Sequence, residues 1–328
     1  MTALDWPTWY EGRRVLILGG SGFLGRHVSR ELARHRALLT VASTTVHSFP
    51  FLLPPSERVT RAICDVRDAA SVAETVNGHE VVFNLAGHSG TVSSTNQPAA
   101  DAAVNILGAL SVLEAVRLYA PGAKVVFPGS RLEYGTVGIL PVSEDAPLRP
   151  TSPYGVHKLA AEHHHRNYWH IHGVRTTVLR ITIPFGAHAS PVGRDFGIAN
   201  RFIQLAVEDQ ALRIFGDGRQ LRDYVYVDDV VSALALAGAT RDSDGEVYNV
   251  GAGRGIALVD FARLAIAEAG GGRLEFAPWP ELALAVETGD FVANISAIRE
   301  ALRWQPLVGL EEGVRRAVHS LRRVKDHL

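Results

Sequence analysis

One cysteine, Cys64, and only three lysines stand in a chain of 328 residues. A lone thiol cannot close an intrachain disulfide, which fits a reducing, cytoplasmic setting. Charge of one sign is not in excess either, with 33 Lys plus Arg against 34 Asp plus Glu. Without a basic surplus there is little to release counterions from a phosphate backbone, so no nucleic acid partner is expected. No apolar run reaches 18 residues, and no membrane span is expected. The start, MTALDWPTWYEGRR, has an early acid and no apolar stretch of the signal-peptide kind. Repeats at a solenoid period are absent, and Gly270-Gly271-Gly272 is the only low-complexity spot.

What is present is ordinary for a folded globular chain: 47% hydrophobic and 20% charged residues. At roughly 150 residues per domain, the length suits two domains or one large α/β unit with a smaller cap. Short apolar runs occur at 15–18, 38–42, 81–85, 125–127 and 176–179, separated by segments long enough for crossover helices. Continuous rather than alternating apolar strands predict a doubly wound parallel sheet covered on both faces, a Rossmann-type α/β fold. We place its domain at 12–180, with a return around 222–250 through YVYV (224–227) and Val247–Val250. A discontinuous substrate-binding cap, mainly 181–320, opens on the loop-rich stretch with Pro184, Gly186, Pro191, Gly193 and Gly197. Val104, Leu107, Leu110, Leu113 and Val116 mark an apolar helix, part of whose face suits a partner subunit.

The first strand ends in Gly19-x-x-Gly22-x-x-Gly25, after which Val28, Leu32 and Ala33 recur at helical spacing. Bare glycines let the backbone turn sharply and let a pyrophosphate approach the helix amino end, where free N–H groups and the dipole favour an anion. Such sites place an acid at the end of the second strand, on the adenosine ribose. Here that strand ends Val41-Ala42-Ser43-Thr44-Thr45, so no carboxylate repels a 2′-phosphate, yet no adjacent Arg replaces it. The cofactor is NAD or NADP, with a lean to NADP.

Tyr154 and Lys158 lie four residues apart just after Pro153, where a helix can begin, and so share one helical face. A phenol with a solution pKa near 10 becomes a useful base at neutral pH only beside a positive charge, which Lys158 can supply. Ser130 follows the 125–127 strand, at the sheet edge where open α/β folds bind ligands. Its hydroxyl can orient a sugar oxygen toward Tyr154, or the residue can be a plain loop-capping serine. Arg131 and Glu133 are candidate substrate contacts or plain loop charges. His163, His164 and His165 point about 100° apart on a helix and cannot converge on one metal, so we expect a solvated face and no metal site.

Taken together, LILGGSGFLG (16–25), CDVRD (64–68), VVFNLAG (81–87), VNILG (104–108), FPGSRLEYG (127–135), SPYGVHK (152–158), LRITIPFGAHAS (179–190), GDGRQLRDYVYVDD (216–229) and YNVGAG (248–253) resemble the extended short-chain dehydrogenase/reductase family. Order and spacing are most similar to the 4-epimerases of its nucleotide-sugar epimerase and dehydratase branch. The resemblance implies Ser130, Tyr154 and Lys158 as the catalytic set, and Gly19, Gly22, Phe23, Leu24, Gly25, Ser43, Asp65, Val66, Leu85, Ala86, Gly87, Asn105 and Pro184 around the cofactor, with Tyr154 and Lys158. It further implies Asn200 and Arg222 at a nucleotide-activated sugar, and a homodimer.

The chain departs from the family pattern at Ile183, where an Asn is usual, and in VETGD (286–290), where an Arg usually precedes Gly-Asp. Both normally help hold the nucleotide diphosphate. Sugar dehydratases usually carry Thr-Asp-Glu where this chain has Ser130-Arg131-Leu132, so the acid pair for water elimination is missing. The leading expectation is an epimerase that oxidises a sugar carbinol transiently through a keto-sugar. An NADPH-dependent keto-sugar reductase or a dehydratase of the same family is the alternative. A non-catalytic dinucleotide-binding regulator comes third.

Overall fold

The side chains of Val15 to Leu18 point alternately to opposite faces of a strand, and all four are apolar, so neither face can meet water. In the computed structural model, which describes residues 5–45, 53–186 and 197–325, this run lies in β1 (Arg14–Leu18), an inner strand of a sheet. Val15 and Ile17 pack into one cluster with Val28, Leu32, Val230 and Leu234. Leu16 and Leu18 pack into another with Val72, Val112 and Val116.

The remaining strands are β2 (Leu38–Ser43), β3 (Val59–Ile63), β4 (Val81–Asn84), β5 (Lys124–Ser130), β6 (Arg175–Ile181), β7 (Ile183–Phe185), β8 (Ala211–Phe215), β9 (Leu221–Tyr226), β10 (Val247–Val250), β11 (Gly255–Ala257) and β12 (Arg273–Ala277). The main sheet runs β3-β2-β1-β4-β5-β6-β10, every neighbouring pair parallel. Strand order reverses between β1 and β4, and such a reversal opens a crevice beyond the carboxyl ends of the strands.

Of the two late apolar segments, only β10 joins this sheet. β9 lies between β7 and β11 in a three-stranded sheet of its own, and β8 pairs with β12. A local apolar pattern specifies a strand but not its partner. The helix Val227–Ala239 returns to the main sheet and packs on helix Phe23–Arg34. Around β9 the cap closes on Phe185, Tyr224 and Phe261, the last two stacked with centroids 4.3 Å apart. Cap and main sheet share one hydrophobic cluster from Val15 to Val318. Pro191 and Gly193 of the loop-rich stretch, and residues 187–190 of LRITIPFGAHAS, lie outside the described residues.

One expectation changes here. His165 does not belong to a solvated face: it is fully buried, its ring stacked on Phe127 at 4.3 Å and Nδ1 bonded to the Ala161 carbonyl. The 100° step between consecutive helical residues that keeps the three histidines from converging also turns the third one inward. Residues 98–119 form one helical stretch that is long and apolar enough to cross a membrane by length and composition. It holds no long unbroken apolar run, since Asp101, Asn105, Ser111, Glu114 and Arg117 interrupt it. The Asp101 and Asn105 side chains are buried, and the stretch packs on helices Ala69–Val76 and Pro153–His172.

Candidate active site

The glycine turn works by close approach. Gly19 has a φ of 75°, and a Cβ on Gly25 would lie 2.3 Å from the Gly19 carbonyl oxygen. Helix Phe23–Arg34 can therefore start directly on the turn, with Gly22 as an N-cap that offers no side-chain acceptor. A helix amino end without a side-chain cap favours an anion. Gly22, Phe23, Leu24 and Gly25 line a cavity of about 850 Å³, and Leu85, Ala86 and Gly87 beyond β4 line it too. Bare backbone and an uncapped helix end fit the pyrophosphate of a dinucleotide.

Ser130 ends β5 and caps the short turn Arg131–Glu133: its Oγ accepts from Leu132 N at 3.2 Å, and Glu133 Oε1 accepts from Ser130 N at 2.6 Å. This reciprocal cap is written in the sequence as Ser-x-x-Glu. Helix Pro153–His172 begins with Pro153 at its first position, Ser152 accepting from Gly155 N, and Ser94 Oγ accepting from Tyr154 N. These bonds set Tyr154 in the wall of the cavity that Ser130 also lines. One turn on, Lys158 Nζ lies 3.8 Å over the Phe127 ring. Ser130, Tyr154 and Lys158 all line the cavity.

Burial pushes the Tyr154 phenol well above its usual 10; the Glu133 and Asp101 carboxyls act in the same direction, and the Ser130 hydroxyl opposes them. Burial pulls Lys158 down to about 8, against the pull of Glu133, Asp101 and Glu162. Glu133 is itself pushed well above the carboxylate range by burial and by Glu162. Glu162 keeps its charge through Arg180, whose Nη2 donates to it at 2.6 Å. The protein alone thus holds a neutral phenol beside an easily discharged ammonium.

Asp101 was not foreseen. It is buried, accepts from Asn105 Nδ2 at 2.9 Å, and lies 2.6 Å from His157 Nδ1. Asn105 also donates to the His88 carbonyl and sits in a π-helical turn, Ala103–Gly108. Such wide turns recur at functional sites. No spacing rule in the sequence connects position 101 to 157, since the pairing is tertiary.

The opposite wall of the cavity comes from Gly197, Ile198, Arg201, Trp279, Ala283 and Val286–Thr288, with Ile183 and Pro184 at its base. Arg222 and Asn200 stand behind the cavity surface rather than on it. Arg222 is tied to Glu287 and to the Leu221 and Gly289 carbonyls, and Asn200 Oδ1 accepts from Gly186 N. Ser43 is buried with its hydroxyl 3.0 Å from that of Ser21. Asp65 is paired with Arg67, while Val66 packs where a Cβ on Gly108 would strike it.

Residues 15–251 match the NAD dependent epimerase/dehydratase family. A UDP-glucose 4-epimerase of Mycolicibacterium smegmatis is 33% identical over 324 residues, covering 94% of this chain and 98% of the relative. Among solved structures, UDP-glucose 4-epimerase of Thermotoga maritima with UDP-glucose superposes with a TM-score of 0.86 at 29% identity, over 95% of this chain and 99% of that one. The Thermus thermophilus UDP-glucose 4-epimerase complex with NAD has a TM-score of 0.81 at 30% identity, over 94% and 99%. With the family's glycine turn and its Ser, Tyr and Lys gathered at one cavity, this chain is an enzyme of the NAD-dependent epimerase/dehydratase family.

Proposed function

We propose that the chain is a nucleotide-sugar 4-epimerase that works through a keto-sugar. The observation that carries this reading is the meeting of Ser130, Tyr154 and Lys158 in the same cavity as the glycine turn. Tyr154 takes the proton of a sugar carbinol and later returns one, while Ser130 holds the same oxygen. The Lys158 ammonium favours the phenolate form of Tyr154 while the proton is away. A dinucleotide held at Gly22, Phe23, Leu24 and Gly25 would supply reversible hydride transfer. Reduction of the ketone on its other face would invert the carbinol with no net redox change.

Arg131 and Leu132 place no acid pair next to Ser130, which supports epimerisation over water elimination. The cofactor is NAD or NADP, and the absence of a carboxylate at Ser43 supports NADP. A homodimer through the helices at 98–119 and 153–172 would cover Leu107, Leu118, Val156 and Ile171, all exposed on the single chain; a monomer by light scattering at micromolar concentration would refute it.

The test incubates purified protein with UDP- and dTDP-hexoses and follows the sugar by NMR. The reading expects the 4-epimer to accumulate without stoichiometric change in NAD(P)H, and denatured protein to release a dinucleotide. Product formation that consumes NADPH mole for mole would make the enzyme a reductase instead.

A further inference from the structure

The substrate side of the cavity holds a cation that the steps above do not use. Arg131 follows Ser130 directly and lines the cavity. Its Nη1 donates to Thr288 Oγ1 at 3.0 Å, and the guanidinium lies 5.7 Å from the centre of the Phe291 ring. One partner is a neutral oxygen and the other an apolar face. Among the described residues no carboxylate forms a salt bridge with it, whereas Arg180 has Glu162 and Arg222 has Glu287. Burial, and next the charge of Arg222, lower its hold on the proton to about 10. The carboxylates that act on it, Glu287 and Asp223, form no salt bridge with it, and a ligand that brings a counter-charge into contact offsets the cost of burial.

Arg222, where the family resemblance puts a phosphate contact, is already satisfied. Three acceptors surround it, and Glu287, the chief one, is pinned in turn by the Thr288 and Gly289 N–H groups at 3.0 and 2.9 Å. Glu287 stands in VETGD just before Gly289-Asp290, the stretch where the family often places an Arg. Two arginines line the cavity without a salt bridge among the described residues: Arg201, exposed and bonded to Gln204, and Arg131, half-buried beside Ser130.

We propose that Arg131 binds an oxyanion of the substrate, and that this oxyanion is the diphosphate of the nucleotide sugar. The assignment rests on the nucleotide-sugar reading above. A diphosphate is favoured over a carboxylate on the sugar because the guanidinium reaches away from the Ser130 hydroxyl to Thr288, in the segment that holds Arg222. Its planar fork suits two oxygens of one phosphate.

Calorimetric titration of wild type, Arg131→Ala and Arg131→Lys with UDP, dTDP, the parent nucleosides, UDP-glucose and UDP-glucuronic acid tests this. The expected result is that Arg131→Ala weakens nucleoside diphosphates and nucleotide sugars by roughly 10- to 100-fold and leaves the nucleosides within twofold. Arg131→Lys, which keeps the charge and loses the fork, should fall between and serves if the alanine variant does not fold. Unchanged UDP and dTDP binding in folded variants overturns the proposal. A loss confined to UDP-glucuronic acid overturns the diphosphate assignment in favour of a sugar carboxylate. A wild type that binds none of these nucleotides defeats the nucleotide-sugar reading itself, an outcome distinct from variants that bind as well as wild type.

Discussion

The two walls of the cavity are built in different ways. On the sheet side, position depends on backbone: a positive φ at Gly19, a helix resting on the Gly19 carbonyl, and a strand end capped by its own turn. On the cap side, it depends on side chains far apart in sequence, such as Arg222 held by Glu287 and Arg131 held by Thr288. Backbone constraints tolerate few residue types and so preserve a recognisable pattern. Side-chain pairs can exchange sign between positions and still fold, which lets one catalytic floor serve different substrates.

The sharpest way to separate the walls is Tyr154→Phe, which removes only the ionisable oxygen. We expect turnover to drop by about 10²- to 10⁴-fold, with dinucleotide still released on denaturation. Activity within a few-fold of wild type would dissolve the assigned role.

Ser43→Asp tests whether side chains also matter on the sheet side. A carboxylate at the end of β2 should shift preference from NADP toward NAD by roughly ten- to a hundred-fold in titrations of cofactor-free protein. A clear wild-type preference for NAD would mean that backbone contacts hold the ribose.

Gly25→Ala probes the backbone rule itself. The new Cβ would sit 2.3 Å from the Gly19 carbonyl oxygen and 2.8 Å from Gly20 Cα, neither of them able to swing aside. A loss of about 1–3 kcal/mol in denaturant unfolding is expected, together with loss of retained dinucleotide. Val286→Ala, on the cap side, should leave that retention intact.

The smallest effect is in pH. Burial puts Lys158 at about 8 in the fold against 10.5 for an unperturbed lysine. Between those values the unfolded chain binds more protons, so raising the pH stabilises the fold through this group. Lys124, also brought to about 8 chiefly by burial, adds the same sign. Turnover should move the other way and fall above about pH 8 as the ammonium is lost. A rate profile flat to pH 10 would show that Lys158 need not be charged.

The sheet wall was legible in the sequence because its signals are local: apolar runs, the spaced glycines, and a Tyr and a Lys one helical turn apart. Its Ser-x-x-Glu spacing is equally local, and it gives Glu133 the role of a cap partner rather than of a substrate contact or a loop charge. The cap wall was not legible for the opposite reason. Nothing near Arg222 in sequence announces a carboxylate 65 positions later, and nothing in YVYV tells a strand which sheet it will join. His165 shows the limit at one residue, since three identical side chains differ only in their angle about a helix whose packing is tertiary.

The π-helical turn at Ala103–Gly108 also acts as a phase setter. Upstream of it, Asp101 points into the network around His157; downstream, Leu118 and Tyr119 point out to the surface. Each residue added to or taken from a helix rotates everything beyond it by about 100°. Deleting one residue from this turn would leave Asp101 in place and swing the outer apolar face away from its present direction. The wide turn therefore keeps an inner hydrogen-bond network and an outer surface in register, so that selection on either one constrains the other.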